Sequence, residues 1–170
     1  MRLHLTTALL LVLMPPQAMA DEPPKEEHIL GWVEWARLMP DDVRIKAKLD
    51  TGATTSSLNA LDQETFERDG EEWIAFDILD PEDEDRRIRL EREITRHVRI
   101  VRHSGDHQRR PVVEMELCLG GRRLREEVNL VDRTELTYQL LVGRNHMEDA
   151  ILVDPGETFV GDTPCPSSSH

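Results

Sequence analysis

The 170-residue chain lacks the sequence features of several common protein classes. It has no His-Glu-x-x-His motif for zinc and no Gly-x-x-x-x-Gly-Lys-Ser/Thr loop for nucleotide phosphates. Basic residues are in deficit, since 21 Lys and Arg stand against 34 Asp and Glu and leave a net charge of −13. A surface of this charge repels nucleic acid and anionic lipid, so we expect neither as a partner. We find no internal repeat.

The N-terminal residues 1–20 have the features of a secretory signal. They contain Arg2 but no acidic residue, an apolar run at residues 9–14 that is too short to span a bilayer, and the small-residue ending Ala18, Met19, Ala20. We expect cleavage before Asp21 and, because no lipobox cysteine is present, a soluble periplasmic protein without membrane attachment. The alternative is that the segment stays uncleaved as an anchor.

Cleavage would leave about 150 residues, enough for one domain. The predicted organisation is a signal peptide at 1–20, a flexible leader at 21–28, a folded domain at 29–154 and a flexible tail at 155–170. Two cysteines, Cys118 and Cys165, could form a disulfide in an oxidising compartment. The sequence sets no distance between them, so this pairing stays open.

The alternation of apolar and polar residues predicts a mainly antiparallel all-β fold. In residues 43–49 every second residue is apolar, the pattern of a half-buried strand. Further strands are predicted at 29–38, 73–79, 112–119, 124–130 and 151–153, with a hairpin over 88–103 and a short helix at 146–149. Gly120 and Gly121 separate two of these strands and suit a two-residue turn.

Two motifs suggest a functional site. Asp50, Thr51, Gly52 and Ala53 directly follow the strand at 43–49, although Asp-Thr-Gly also suits an ordinary strand-to-turn junction. Some ninety residues later the chain has two leucines and Val142, Gly143, Arg144 and Asn145. Together the motifs resemble one half of a retropepsin-like aspartic protease, in which the second motif supports the loop carrying the catalytic Asp. Glycine there lets the chain turn where a Cβ would collide.

Five blocks in the same order resemble the RimB-type family: GWVEW at 31–35, KAKLDTGATTSSLNA at 46–60, RPVVE at 110–114, NLVDR at 129–133 and LVGR at 141–144. The resemblance implies a retropepsin-like acid-protease barrel with one lobe per chain. The family has long been labelled "ATP-dependent zinc proteases", but the chain lacks the zinc and nucleotide motifs, so we expect no cofactor. It implies catalytic roles for Asp50, Thr51 and Gly52, substrate binding by Ala53, Thr54 and Thr55, and structural support from Val142, Gly143, Arg144 and Asn145. Members of this family accompany a glutamate ligase.

This resemblance predicts an aspartic peptidase that hydrolyses peptide bonds. Such an enzyme needs two carboxylates that share a proton. A single Asp-Thr-Gly therefore predicts a homodimer in which each subunit contributes Asp50 and a water molecule between the two carboxylates attacks the peptide. The expected partner is a peptide or protein substrate. The alternative is a catalytically silent domain that keeps the fold and binds peptides or a partner protein.

The chain departs from viral retropepsins at Thr54 and Thr55, where those proteins have acidic residues that pair with the arginine of the second motif. Arg144 would lose that partner. Asp132 and Arg133 could compensate, or they could form a solvent-facing turn.

Residues 88–111 occupy the region of a retropepsin flap. A basic flap would favour acidic, glutamate-rich peptides; its candidates are Arg92, Arg96, Arg99, Arg102, Arg109 and Arg110. His103 and His107 have the i, i+4 spacing of helical metal ligands, but the residues between them favour a polar loop.

Overall fold

The computed structural model describes residues 27–83, 85–101, 107–161 and 165. The described part consists almost entirely of strands, with one short helix near its C-terminal end. The elements are β1 His28–Met39, β2 Val43–Leu49, β3 Ser56–Asn59, β4 Leu61–Arg68, β5 Glu71–Leu79, β6 Arg87–Val101, β7 His107–Leu119, β8 Arg122–Val131, β9 Leu140–Val142, α1 Arg144–Met147 and β10 Ile151–Thr158.

Six of these strands close into a barrel. The hydrogen-bonded order is β10, β1, β2, β9, β3, β8, β7, β6, β5, β4, and an additional β1–β7 pairing joins the first and last barrel strands. β10 adds to the outside of β1, whereas β6, β5 and β4 continue from β7 as an antiparallel extension. This architecture confirms the predicted all-β, mainly antiparallel retropepsin-like barrel with a short C-terminal helix.

The strand that carries the candidate site follows the predicted pattern. In β2, Ile45, Ala47 and Leu49 are buried, while Arg44 and Lys46 are exposed. β2 pairs with β1 on one side and with β9 on the other, so its C-terminal end is fixed between two neighbours. Burial of the apolar face against the barrel core stabilises this placement.

Other elements were predicted in part. The β7–β8 hairpin turns at Gly120 and Gly121, whose φ values of 56° and 78° lie in the region that glycine favours. Residues 88–101 are not a hairpin in themselves but one long strand, β6, that pairs with β7. β3 and β4 were not predicted, and β10 continues past residue 154 to Thr158.

The structure resolves the question of the cysteines. Cys118 of β7 is buried and forms a disulfide with Cys165, with their Cα atoms 5.8 Å apart. The bond attaches the C-terminal segment to the barrel.

The predicted signal at 1–20 and most of the leader lie outside the described residues. Within the described residues, no helix is long and apolar enough to cross a membrane.

Candidate functional site

Asp50 follows β2 directly and begins a tight turn. Its backbone N–H donates to the carbonyl of Val142 at 2.8 Å, and the N–H of Ala53 donates back to the Asp50 carbonyl at 3.1 Å. The first bond continues the β2–β9 pairing by one residue, and the second closes the turn. The backbone of Asp50 is therefore fixed on both sides.

The Asp50 carboxylate is partly exposed and has two donors. Oδ1 accepts the N–H of Gly52 at 3.0 Å, and Oδ2 lies 3.3 Å from Nζ of Lys48. Partial burial acts to raise the pKa of Asp50, but the Gly52 N–H, the Lys48 ammonium and the Ala53 N–H outweigh it and hold the pKa below its ordinary value. Asp50 is therefore an ionised acceptor at neutral pH.

The second motif lies against the Asp50 turn. An ideal Cβ on Gly143 would stand 2.6 Å from the Thr55 carbonyl carbon and 2.8 Å from the Thr54 oxygen, so only glycine allows this approach. The backbone N–H of Arg144 donates to Ala53 O at 2.9 Å, and that of Asn145 donates to Thr54 O at 3.1 Å. The structure thus brings together all ten predicted site residues, from 50–55 and 142–145.

Arg144 has partners that its sequence context did not reveal. Its guanidinium donates to the Thr51 carbonyl at 2.8 Å and to Thr54 Oγ1 at 2.9 Å. Two neutral oxygens thus take the place of the expected carboxylate, and Thr54 is held by Arg144 rather than left free for a substrate.

Asp132 and Arg133 were predicted either to compensate for the partner that Arg144 lacks or to form a solvent-facing turn, and neither prediction holds for both residues. Asp132 is exposed and accepts hydrogen bonds from the N–H and hydroxyl of Thr134. Arg133 turns inward, where its guanidinium donates to Ser57 Oγ at 2.8 Å. Burial lowers the pKa of Arg133, as does the charge of Arg110, whereas the charge of Asp50 acts in the opposite direction. Arg133 therefore lies within electrostatic range of both Asp50 and Arg110.

The predicted basic flap is only partly free to bind an acidic ligand. Arg92 pairs with Asp41, and Arg96 pairs with Glu127. Arg110 donates to Asn129 Oδ1 and to Gln108. Arg99 and Arg109 are exposed and directly opposite each other on β6 and β7. Arg102 and His103 lie outside the described residues, and His107 is part of β7 rather than of a loop.

Sequence reasoning missed a buried pair behind the site. Ser56 accepts the N–H of Gly143 at 2.9 Å, and its Oγ lies 2.8 Å from Nδ1 of His146, while Nε2 faces the carbonyl of Met115 at 3.4 Å. A neutral ring that donates from Nε2 accepts at Nδ1, so the Ser56 hydroxyl donates to it. The position of Ser56, six residues after Asp50 and directly before Ser57, gives no hint of this contact.

His146 should make the protein sensitive to acid. Burial lowers the pKa of His146 to about 4, although the Met115 carbonyl acts in the opposite direction. In the unfolded chain this histidine has an ordinary pKa near 6.5 and binds the proton more readily. The contribution of His146 to the free energy of unfolding is therefore fully present above about pH 6.5 and is lost as the pH falls towards 4. The loss amounts to about 3 kcal/mol.

Urea unfolding from pH 7 to pH 4 tests this effect. His146→Asn, which cannot take up the proton, should lose less stability than wild type over the same interval. The difference between the two slopes removes the contribution of the carboxylates. Parallel slopes for both proteins would show that His146 does not cause the sensitivity.

The described residues contain no group of three His, Cys, Asp or Glu side chains that could hold a metal ion. The donors around Asp50 are ammonium, guanidinium and backbone N–H groups, which bind anions and not cations. The Lys48 ammonium and the Gly52 N–H already bond to the Asp50 carboxylate itself.

Comparisons with known proteins identify relatives of two kinds. A model of the RimB-like family, described as the retropepsin-like aspartic endopeptidase RimB, matches residues 29–164. A probable alpha-L-glutamate ligase of Shewanella pealeana is 36% identical over 136 residues, which are 78% of this chain and 30% of that protein. A protein of the same name from Desulfotalea psychrophila is 35% identical over 132 residues, 76% of this chain and 28% of its own length.

A solved structure is also similar. The protein Lpg0085 from Legionella pneumophila, of unknown function, superposes with a TM-score of 0.70 at 32% identity. The match covers 81% of this chain and all of that one.

These relatives correct the functional prediction. The curated proteins are named ligases and not peptidases, so the prediction of an aspartic peptidase, with its classification as a hydrolase and protease, is wrong. The alternative, a silent peptide-binding domain, is not clearly supported either. The named relatives are enzymes, and this chain spans about 30% of their length. From its barrel, its two apposed motifs and the match over residues 29–164, the chain belongs to the RimB-like family.

Proposed function

We propose that this chain is an enzyme module of α-glutamyl peptide chemistry, which binds the acidic peptide that an α-L-glutamate ligase produces and presents Asp50 to it. The observation that carries the proposal is the charge around Asp50. Lys48 pairs with the carboxylate, Arg133 lies within its electrostatic range, and Arg144 donates to the carbonyl of the next residue, Thr51. The chain as a whole, by contrast, has a net charge of −13. Local positive charge on an acidic protein favours binding of an anionic ligand at that place.

The strand extension supports the same ligand. Arg99 and Arg109 face each other across β6 and β7, and like charges directly opposite are unfavourable in an isolated sheet. No carboxylate among the described residues pairs with either of them. A polyanionic peptide would relieve this repulsion, so the two arginines fit a role in attracting it.

The relatives suggest the kind of acid in the peptide. Their name places α-linked glutamate in their chemistry, and the region they share with this chain includes the Asp50 loop. We propose that this chain works with a ligase, either as a separate protein or as part of one assembly. The carboxylate of Asp50, ionised and held at a fixed position, is the group that would meet the peptide backbone.

Asp50→Asn tests the role of this carboxylate. Asparagine preserves the shape and an acceptor for the Gly52 N–H but removes one negative charge from the basic site. We therefore expect α-linked tetraglutamate to bind Asp50→Asn at least as tightly as wild type, because a repulsive charge is lost. The effect of the chain on the length of the α-glutamyl peptides should disappear, since the amide of asparagine cannot act as a base.

The readout is the length distribution of α-glutamyl peptides, by mass spectrometry, when a ligase such as the Shewanella pealeana relative works in the presence of this chain. Wild type should alter the distribution and Asp50→Asn should not. Asp69→Asn is the matched control, because Asp69 lies in the exposed β4–β5 turn with a φ of 55° that asparagine tolerates. Equal effects of Asp50→Asn and wild type would refute the proposed role.

Two expectations about the setting remain proposals. Self-association is supported by Ile29 and Leu152, cross-strand partners on β1 and β10 with exposed fractions of 66% and 49% beside a pocket that Thr51 and Arg144 line. Light scattering over a concentration series tests it; a strict monomer would contradict it.

Export to the periplasm is supported by the disulfide. Mass spectrometry of the mature protein tests it, and Asp21 should be the first residue.

A further inference from the structure

A second pocket is lined in part by β2, the strand that leads to Asp50. It has a volume of about 480 Å³, within the range of small-ligand sites, and is lined by parts of β1, β2, β3, the segment after β5 and the segment between β8 and β9. Lys46, which lines the pocket, lies two residues before Lys48, so both side chains extend from the same face of β2, the strand that leads to Asp50.

One wall of the pocket contains a donor without an acceptor. Asn59 of β3 is completely buried, and its Nδ2 has no hydrogen-bond partner among the described residues. The orientation of the amide is settled by its other atom, since Oδ1 accepts the N–H of Arg133 at 2.6 Å. A buried NH₂ group without an acceptor is costly, and such groups in folded proteins call for a reason.

Two cations line the same pocket. Arg133 is half-buried and its side-chain bonds are to Ser57 Oγ and the Tyr138 carbonyl, both neutral acceptors. Lys46 lies near the face of Trp35, with Nζ 5.4 Å from the ring centroid. Neither cation forms a salt bridge with a carboxylate among the described residues, so a partly desolvated guanidinium has no direct ionic partner there.

The one acidic side chain of the pocket does not oppose an anion. Asp80 is buried, but Arg86 pairs with it and the N–H of Glu82 donates to it at 2.9 Å. Its charge is therefore already compensated. Gln139 binds both the N–H and the carbonyl of Leu79, the residue before Asp80, which fixes that wall.

We propose that this pocket binds a carboxylate group of a peptide, with Arg133 and Lys46 as its counter-charges and the Asn59 amide as its buried donor. A carboxylate has the acceptors that these three groups lack. The carboxylate can come from a glutamate side chain or from the C-terminus of the peptide. The inference rests on the proposed function for the acidic peptide itself, but the pocket is distinct from Asp50.

Calorimetric titration of α-linked tetraglutamate tests the pocket. Asn59→Asp keeps an acceptor for the Arg133 N–H and replaces the free donor by a repelling oxygen, so affinity should fall about tenfold. Lys46→Gln should lower it about threefold, as expected for a partly solvated charge. Arg68→Gln, which makes the same change in net charge on the distant β4, should leave affinity unchanged.

A second peptide with an amidated C-terminus separates the two sources of the carboxylate. Loss of the pocket's contribution on amidation indicates the chain end, and its retention indicates a side chain. Unchanged affinity in both Lys46→Gln and Asn59→Asp would overturn the pocket while leaving the role of Asp50 intact. No binding of tetraglutamate to wild type would instead defeat the proposed function. If Asn59→Asp fails to fold, the comparison of Lys46→Gln with Arg68→Gln still decides the matter.

Discussion

Gly143→Ala should lower the free energy of unfolding by about 4 kcal/mol. Gly143 has φ −88° and ψ 174°, a conformation that alanine adopts freely, so the cost is purely steric. The new Cβ would stand 2.7 Å from the Thr55 oxygen, and the loop cannot retreat without losing the bonds of Arg144 and Asn145 to it. Overpacking contributes about 2 kcal/mol and the two backbone hydrogen bonds about 1 kcal/mol each.

Denaturant unfolding of Gly143→Ala and Gly156→Ala measures this effect. Gly156 is exposed in β10, and a Cβ there would meet only the Asp154 side chain at 3.3 Å, so its variant should lose less than about 1 kcal/mol. A Gly143→Ala protein as stable as the Gly156 variant would show that the two motifs do not lie as close as described.

Reduction of the disulfide should destabilise the protein by about 4 kcal/mol, because the bond closes a loop between residues 47 positions apart. The loss acts through the unfolded chain, which regains the entropy that the cross-link removes. The segment before Cys165 is also held by the Glu34 carboxylate, which accepts the N–H groups of Val160 and Gly161. These hydrogen bonds should weaken when the disulfide no longer holds the segment in place.

Unfolding with and without dithiothreitol, at neutral pH, tests this prediction. Cys165→Ser is the control, because it cannot form the bond and should unfold identically under both conditions. The variant should match reduced wild type. If the reductant changes neither protein, the bond contributes no stability.

Much of the barrel could be predicted because its strands have one buried face. β2 has the expected bounds, Val43–Leu49, since its apolar residues alternate without interruption. The turn at Gly120 and Gly121 was predicted from the backbone conformations that two glycines permit. The Asp50 loop and the 142–145 segment were brought together by family resemblance, because no local pattern links residues so far apart.

The missed elements lack such a local signal. Among the described strands β4 pairs with β5 alone, and it is mostly exposed, so its residues show no apolar face. β3 is the reverse case, with all four residues buried, including Ser56, Ser57 and Asn59. These polar residues are tolerated because His146, Arg133 and Gly143 supply partners from distant parts of the chain.

The site's charge could not be predicted either. An arginine-rich stretch suggested a basic flap, but Arg92 and Arg96 are paired with carboxylates from other strands. Conversely, Arg133 was predicted either to compensate, with Asp132, for the partner that Arg144 lacks or to form a solvent-facing turn, and it instead lies half-buried within electrostatic range of Asp50. Pairing across strands determines which cations can meet a ligand, and no sequence pattern records that pairing.

The affinity of the chain for α-linked tetraglutamate, compared with tetraglutamine by calorimetry at low and moderate salt, tests the central claim most directly. The two peptides have nearly the same shape and differ in side-chain charge. We predict that tetraglutamate binds and weakens as salt rises, because charge attraction holds it, and that tetraglutamine binds at least tenfold more weakly, about the ratio expected for one charged hydrogen bond. Equal affinity for both peptides, or none for either, would contradict the account.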